Sequence, residues 1–481
     1  VTSFVSKLAN SLGAGAVLTD PADMAKYLRS WSGNETGKAF AVVRPANTAE
    51  VSKTMAAAYA DGIAVVPQSG NTGLAGGSIP DESGTAIVLS LERMNRIREI
   101  SASARTMTVE AGCVLASLHE TVEAQGLFFP LNFGAKGSCM IGGNLATNAG
   151  GSNVVRYGNT RELCLGLEVV LPDGRVMDLL SGLRKNNTGY DLRDLFVGSE
   201  GTLGIITAAT MKLYPLPKAR ATGLVAVESL ADALGVLNCV QAESGGAVEA
   251  FEIMPTAFLR QAARHKPDLL RPFNELPRYG VMIEIAATSD AAAISDSDGV
   301  LPVSAMLQRA CEAALEDGLI HDAIFAGSEA QRLEIWRLRE AALEVTNSVK
   351  TKIGFDISLP LERIHAFVAE TQKMVDRTIA GAHLNPLGHL GDGNLHLGIW
   401  CDPEADADAF KAKAAEMKSA VLDLLARSGG SFSAEHGIGS HKLAEMRKYK
   451  DPVALDVMRA IKSALDPKNL MNPGRTIPSG N

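Results

Sequence analysis

The run Pro67-Gln-Ser-Gly-Asn-Thr-Gly-Leu-Ala-Gly-Gly-Ser78 follows directly on the apolar stretch Ile63-Ala-Val-Val-Pro67. A buried strand that ends in four glycines, three small hydroxyl residues and an Asn can turn successive backbone N–H groups onto one anion, and a phosphate is the natural guest. A dinucleotide fingerprint needs a helix to follow, and a Walker loop needs Gly-Lys-Ser/Thr. Here the next residues are Ile79-Pro-Asp-Glu-Ser-Gly84, a turn. Both of those folds are disfavoured, and taken alone the loop is also compatible with an ordinary glycine-rich turn.

Upstream, 40–45 is a short apolar run and 48–61 has helical spacing, so with 63–67 they make a β-α-β unit. From 86 to 180 the pattern is mostly strands and glycine turns, including 106–110 and 165–174 with its Pro-Asp-Gly turn. The stretch 198–217 closes the segment, and Pro215 and Pro217 mark a boundary. Beyond 218, helical stretches at 231–242, 256–265, 329–345 and 360–380 accompany a strand at 281–286. The expected class is α+β, with helices on one face of an antiparallel sheet and a helical C-terminal segment beyond Glu435.

The chain has 481 residues, enough for two or three packed units. Its 46 Lys and Arg against 54 Asp and Glu give a net charge of −8, which disfavours nucleic acid and anionic membranes as partners. No stretch approaches the roughly eighteen apolar residues of a membrane span. Six scattered cysteines with no CxxC read as reduced thiols of a cytoplasmic protein and exclude zinc fingers and on-chain iron–sulfur clusters. Residues 1–20 carry no basic stretch followed by an apolar one, so no secretory signal is expected there, and the missing initiator Met is compatible with trimming, with an incomplete start or with a removed transit peptide.

Two further glycine-rich segments share the character of the first: Pro130-Leu-Asn-Phe-Gly-Ala-Lys-Gly-Ser-Cys-Met-Ile-Gly-Gly-Asn-Leu-Ala-Thr-Asn-Ala-Gly-Gly-Ser152 and Val197-Gly-Ser-Glu-Gly-Thr-Leu-Gly-Ile-Ile206. Three such segments in order resemble the flavin-binding domain of the vanillyl-alcohol oxidase and p-cresol methylhydroxylase superfamily. That resemblance implies a two-part FAD-binding domain at 1–217, with the first loop around the pyrophosphate and the others along the rest of the flavin. The residues it assigns to FAD are Pro67, Ser69, Gly70, Asn71, Thr72, Gly73, Leu74, Gly77 and Ser78; Pro130, Gly134, Ala135, Gly137, Ser138, Ile141, Gly142, Gly143, Asn144, Thr147, Asn148 and Gly150; and Glu200, Gly204, Ile205, Ile206 and Asn472. Many covalent members attach the flavin through a His near the first loop. This loop has none, so noncovalent FAD is expected.

His389-Leu-Gly-Asp-Gly-Asn-Leu-His396 reads as a hairpin in which a four-residue turn, Gly391 to Asn394, pairs His389 with His396 and puts both imidazoles on one face. Two facing imidazoles raise a metal hypothesis without completing a site. In Ser433-Ala-Glu-His-Gly-Ile-Gly439, Glu435 and His436 could supply a third ligand and a general base, or simply open a helix. Together these motifs resemble the FAD-linked D-2-hydroxy acid dehydrogenases, most closely the D-2-hydroxyglutarate group. The resemblance implies a divalent metal, zinc, on His389, His396 and Glu435 in a substrate and metal-binding domain at 218–430. It makes His436 the base, Arg339 a substrate-carboxylate ligand, and 431–481 a segment returning to the flavin site.

The implied reaction oxidises a small anionic D-2-hydroxy acid, D-lactate and D-2-hydroxyglutarate among the candidates, to the 2-oxo acid. Electrons pass to a quinone, a cytochrome or an electron-transfer flavoprotein, and a homodimer is expected. Where the D-2-hydroxyglutarate group carries Lys, Thr and Asn, this chain has Gly354, Leu343 and Gly398. Each change removes a polar partner, so a less polar side-chain pocket is expected unless Lys350 or Lys352 reaches in. The alternatives are D-2-hydroxyglutarate itself as substrate, or a nonredox FAD transferase of the alkyl-dihydroxyacetonephosphate synthase kind.

Overall fold

A computed structural model describes residues 2–480. The chain forms two compact units, one of Val1–Gly150, Gly158–Leu216 and Glu435–Asn481, the other of Gly151–Tyr157 and Pro217–Ala434.

In the first unit the helix Thr48–Asp61 starts at Asn47, whose side chain accepts from Glu50 N, and stops at Gly62, left-handed at φ 67°. It connects strands Ala41–Val43 and Val65–Gln68, both parallel to Ile87–Ser90. Val17–Leu18 completes the four-stranded sheet on the antiparallel side. Val43, Val51, Met55, Val65, Ile87 and Leu89 share one core with Met471. The tail joins that sheet: Val65 N donates to Leu470 O at 2.8 Å, and Asn472 N to Val65 O at 2.8 Å. A second, antiparallel sheet runs Ile97–Ser101, Thr106–Glu110, Ile205–Lys212, Cys164–Val170, Val176–Asp178.

The second unit is built on seven strands, in the order Asp322–Phe325, Ala219–Val227, Tyr279–Ala287, Val248–Pro255, Ala382–His389, Asn394–Cys401, Lys352–Ser358, every neighbouring pair antiparallel. Val248–Pro255 is buried at every position, so both faces of the sheet are covered rather than the single face expected. Phe258, Leu259, Ile335, Leu338 and Val345 pack with Met254, Met282, Leu387 and Trp400 of the sheet. The single helix expected over 329–345 is broken at Ala341 into Glu329–Glu340 and Ala342–Ser348.

No helix among the described residues is long and apolar enough to cross a membrane.

Candidate active site

In the first unit the glycine-rich segments come together. A Cβ on Gly70 would lie 2.4 Å from Ser138 O, and one on Gly143 would lie 3.2 Å from Ser69 Cβ, so the first and second segments touch through backbone. Gln68, at the end of its strand, donates to Tyr27 O at 2.8 Å and to Ser78 O at 3.0 Å, tying both ends of the first loop. Asn71, left-handed at φ 53°, donates to Arg29 O and accepts from Ser78 Oγ at 2.8 Å. The second segment is not all loop: Ile141–Thr147 is a short helix closed by Asn148 at φ 50°. Its glycines serve close packing as well as backbone exposure, because a Cβ on Gly142 would meet Ala111 Cβ at 2.6 Å. Ile205 and Ile206 open a strand and are buried, and a Cβ on Gly204 would meet Val169 Cγ1 at 2.9 Å.

Gly73, Gly134 and Gly137 behave differently. A Cβ on any of them would meet nothing within 4 Å, and none has a left-handed φ, so neither packing nor backbone strain explains them. Asn472, 2% exposed, donates to Gly77 O and Glu200 O, each at 2.8 Å, while its Oδ1 has no partner. Open glycine loops let a phosphate approach backbone N–H groups, and a buried orphan acceptor suits a donor group, so both fit a polar cofactor. Glu200, assigned to the flavin by resemblance, turns its carboxylate to the tail: Oε1 accepts from Ile438 N at 2.8 Å and Oε2 from Gly439 N at 2.7 Å.

In the second unit the sheet register sorts the candidate side chains. His389 pairs with Asn394, and His396 pairs with Leu387, two residues off the hairpin expected from sequence. The cause is a 3-10 turn, Leu390–Asp392, closed by left-handed Gly393 at φ 85°. A shift of two preserves the face, so the imidazoles remain neighbours, with centroids 5.3 Å apart and planes at 81°. Glu252 lies opposite His389, and Asp356 opposite His396.

Glu252, 0% exposed, joins two of the expected residues. Its Oε1 is 2.7 Å from His389 Nδ1 and its Oε2 accepts from Arg339 Nε at 2.8 Å. Burial alone would raise this carboxyl; Arg339 and His389 outweigh it and hold it at about 2. An ionised carboxylate only accepts, so His389 Nδ1 carries a proton and Nε2 is the ring nitrogen turned away from Glu252. Arg339 is thus anchored internally, its Nη2 also lying 2.8 Å from Glu252 Oε2.

Asp356, His396, Glu435 and His436 each offer one ligand atom, and these atoms lie within 4.8 Å of one another. Two carboxylates and two imidazoles are a donor set that could hold a divalent metal. His389 is outside this quartet. Asp356 and Glu252 were not picked out by the sequence reading. Glu252 shares the buried run Val248–Pro255 with Glu249, so the run alone does not single it out, and Asp356 is recognisable only from register.

One row further along the same face, Gly398 pairs with both Gly354 and Asn385. A Cβ on Gly398 would lie 2.5 Å from Trp400 Nε1, so the indole folds over it, while one on Gly354 would meet nothing. Lys352 is committed to Thr346 O at 2.7 Å and Val349 O at 2.9 Å, Lys350 is exposed, and Leu343 is 62% exposed.

A model of the FAD binding domain matches residues 39–180, and one of the FAD linked oxidases, C-terminal domain, matches residues 216–476. The fold and these matches define an FAD-dependent oxidoreductase, and the chain belongs to the FAD-linked oxidase family. Within it, the chain is similar to D-2-hydroxyglutarate dehydrogenase of Xanthomonas citri pv. viticola, 37% identical over 472 residues, 98% of this chain and 96% of the relative. It is 36% identical to the mitochondrial D-2-hydroxyglutarate dehydrogenase of Rattus norvegicus, over 97% of this chain and 83% of the relative. It is an FAD-dependent dehydrogenase. The fold matches p-cresol methylhydroxylase with a TM-score of 0.74 at 15% identity, covering 99% of this chain and 97% of that one. It also matches alkyldihydroxyacetonephosphate synthase with a TM-score of 0.70 at 16% identity, covering 98% and 84%. At these identities the likeness is one of fold alone.

Proposed function

We propose that the protein oxidises a D-2-hydroxy acid to the 2-oxo acid, with noncovalently bound FAD and a divalent metal, zinc by the donor set, and passes the electrons to a separate acceptor. The observation that carries this is the cluster of Asp356, His396, Glu435 and His436, in a chain related to D-2-hydroxyglutarate dehydrogenases. When bound, FAD supplies a hydride acceptor for the substrate's C2–H and the ion supplies Lewis acidity at the 2-hydroxyl.

Of this cluster, His396 and Glu435 would hold the ion together with His389, which lies outside the cluster with its ring centroid 5.3 Å from that of His396, while Asp356, opposite His396, stands beside the ligands. The Glu252 carboxylate on His389 Nδ1 supports that role, because ligating histidines usually give their other N–H to such a partner, which aims Nε2 at the metal. His436 takes the hydroxyl proton as the C2–H bond breaks. Arg339, held in place by Glu252, meets the substrate carboxylate with its guanidinium. The Gly398–Gly354 row and the Trp400 indole favour an uncharged substrate side chain, because Lys352, the cation on the same strand as Gly354, is committed to Thr346 O and Val349 O. D-2-hydroxyglutarate is retained as the second reading because the relatives carry its name.

The test is anaerobic bleaching of the visible flavin band by D- and L-2-hydroxy acids, before and after chelation. Bleaching by D-acids that stops on metal removal supports the proposal, and the order of rates for lactate, longer aliphatic acids and hydroxyglutarate decides the pocket. No bleaching by any of them would move the nonredox reading to the front.

A further inference from the structure

Glu200 is a buried carboxylate that contributes no group to the donor cluster, and its surroundings are specific. It is 9% exposed and left-handed at φ 51°, an unusual backbone for a side chain of its size. Its own backbone is held on both sides: Glu200 N donates to Ala146 O at 2.8 Å, and Glu200 O accepts from the Asn472 side chain, Nδ2, at 2.8 Å. The carboxylate then spends both oxygens on one turn, accepting from Ile438 N at 2.8 Å and Gly439 N at 2.7 Å. Gly437, at φ 76°, lies flat against it, since a Cβ there would sit 2.9 Å from Glu200 Cδ. Burial raises this carboxyl, and the two backbone N–H groups oppose that.

The same turn is pinned from the first glycine loop. Ser440 N donates to Ala75 O at 3.0 Å, and a Cβ on Gly439 would fall 1.9 Å from that oxygen. The turn begins one residue after His436. Two charge-assisted bonds to successive amides therefore fix the backbone that carries Glu435 and His436. Glycines at 437 and 439 are required because the carboxylate and the Ala75 carbonyl stand where Cβ atoms would be.

We propose that Glu200 is a positioning residue: its bidentate grip on the Gly437–Gly439 turn sets the reach of Glu435 toward the metal and of His436 toward the substrate hydroxyl. This rests on the proposed roles of Glu435 and His436. A Gln at 200 keeps the shape but replaces one acceptor by an NH2 group facing a backbone N–H, which loses one bond and adds a repulsion. A charge-assisted bond of this kind corresponds to about 10- to 150-fold in rate or affinity.

The test uses FAD-loaded full-length protein and the variants Glu200→Gln and Gly437→Ala, alone and together, with His436→Asn alongside. Flavin content, kcat and KM for a D-2-hydroxy acid, and Zn2+ affinity by chelator competition are measured for each. Glu200→Gln should keep its flavin and KM, lose about 10- to 150-fold in kcat, and bind Zn2+ about 10-fold more weakly. Gly437→Ala, which pushes the carboxylate off from the other side, should do the same, and the double variant should be little worse than either single one. Should Glu200→Gln fail to fold, Gly437→Ala decides the question by the same measurements. Wild-type kcat and Zn2+ affinity in a flavin-loaded variant would overturn the proposal, as would losses that merely track flavin loss. Full activity in His436→Asn would instead overturn the underlying assignment of the base.

Discussion

Arg339 and Glu252 form a pair whose worth can be measured. Glu252 has no exposed surface, Arg339 is 7% exposed, and Arg339 Nε stands 2.8 Å from Glu252 Oε2. Replacing Arg339 with Met leaves a carboxylate in the sheet interior with only His389 to balance it, and replacing Glu252 with Gln leaves a guanidinium there. Breaking a buried pair from either side costs about 3–5 kcal/mol, a large part of the roughly 5–15 kcal/mol that stabilises a domain. The double variant Glu252→Gln, Arg339→Met has no uncompensated charge and should cost much less than the sum of the singles. Urea unfolding followed by tryptophan fluorescence suits the question, because Trp336 and Trp400 lie in the core that also holds Leu338, next to Arg339 in the chain. Flavin content is matched across the four proteins, and midpoints and slopes are compared. Strong non-additivity supports an internal counterion. Additive losses, or an Arg339→Met variant within about 1 kcal/mol of wild type, would refute it and return the whole guanidinium to the substrate.

Gly354→Lys should be tolerated, because its side chain enters open space, and it should raise kcat/KM for D-2-hydroxyglutarate relative to D-lactate; an unchanged ratio would count against the row as the side-chain subsite. Gly398→Asn collides with Trp400 Nε1 and should cost about 1–3 kcal/mol, most of it recovered in a Trp400→Leu background, as thermal unfolding of the single and double variants would show. Acid precipitation should release FAD into the supernatant; yellow colour retained in the pellet would mean a covalent link. Glu168 is pulled below its usual carboxyl value: burial opposes this, but Arg98, Thr48 and Thr207 outweigh it. The stability it contributes is present in full above the unfolded carboxyl pKa and is lost as pH falls through the lower folded value, so Glu168→Gln should flatten the acid side of a Tm–pH profile.

Local signals in the sequence were strong where chain geometry depends on neighbours in sequence. The helix Thr48–Asp61 is bounded by Asn47 and Gly62, and strand Val65–Gln68 by the glycine loop, so the β-α-β unit was legible. The hairpin was legible as a hairpin but not in register, because the choice between a plain four-residue turn and the Leu390–Asp392 3-10 turn depends on where Gly393 packs, 2.4 Å from Leu359 O were it to carry a Cβ. Asp356 could not be found from spacing, since it reaches His396 only across a strand pair. Arg339 was visible as a candidate while its partner Glu252 was not, because the 87 residues separating them in sequence carry no trace of the contact. For Glu200, motif resemblance pointed to the flavin, whereas its carboxylate is taken up by amides of a turn 238 residues away.

The most direct measurement is single-turnover reduction of the bound flavin by a D-2-hydroxy acid, protiated or deuterated at C2, with zinc present, removed and restored. The account predicts flavin reduction that is slowed by deuterium, abolished with the metal and recovered on its return. Reduction that proceeds unchanged in zinc-free protein, or shows no sensitivity to C2 deuteration under limiting chemistry, would contradict it.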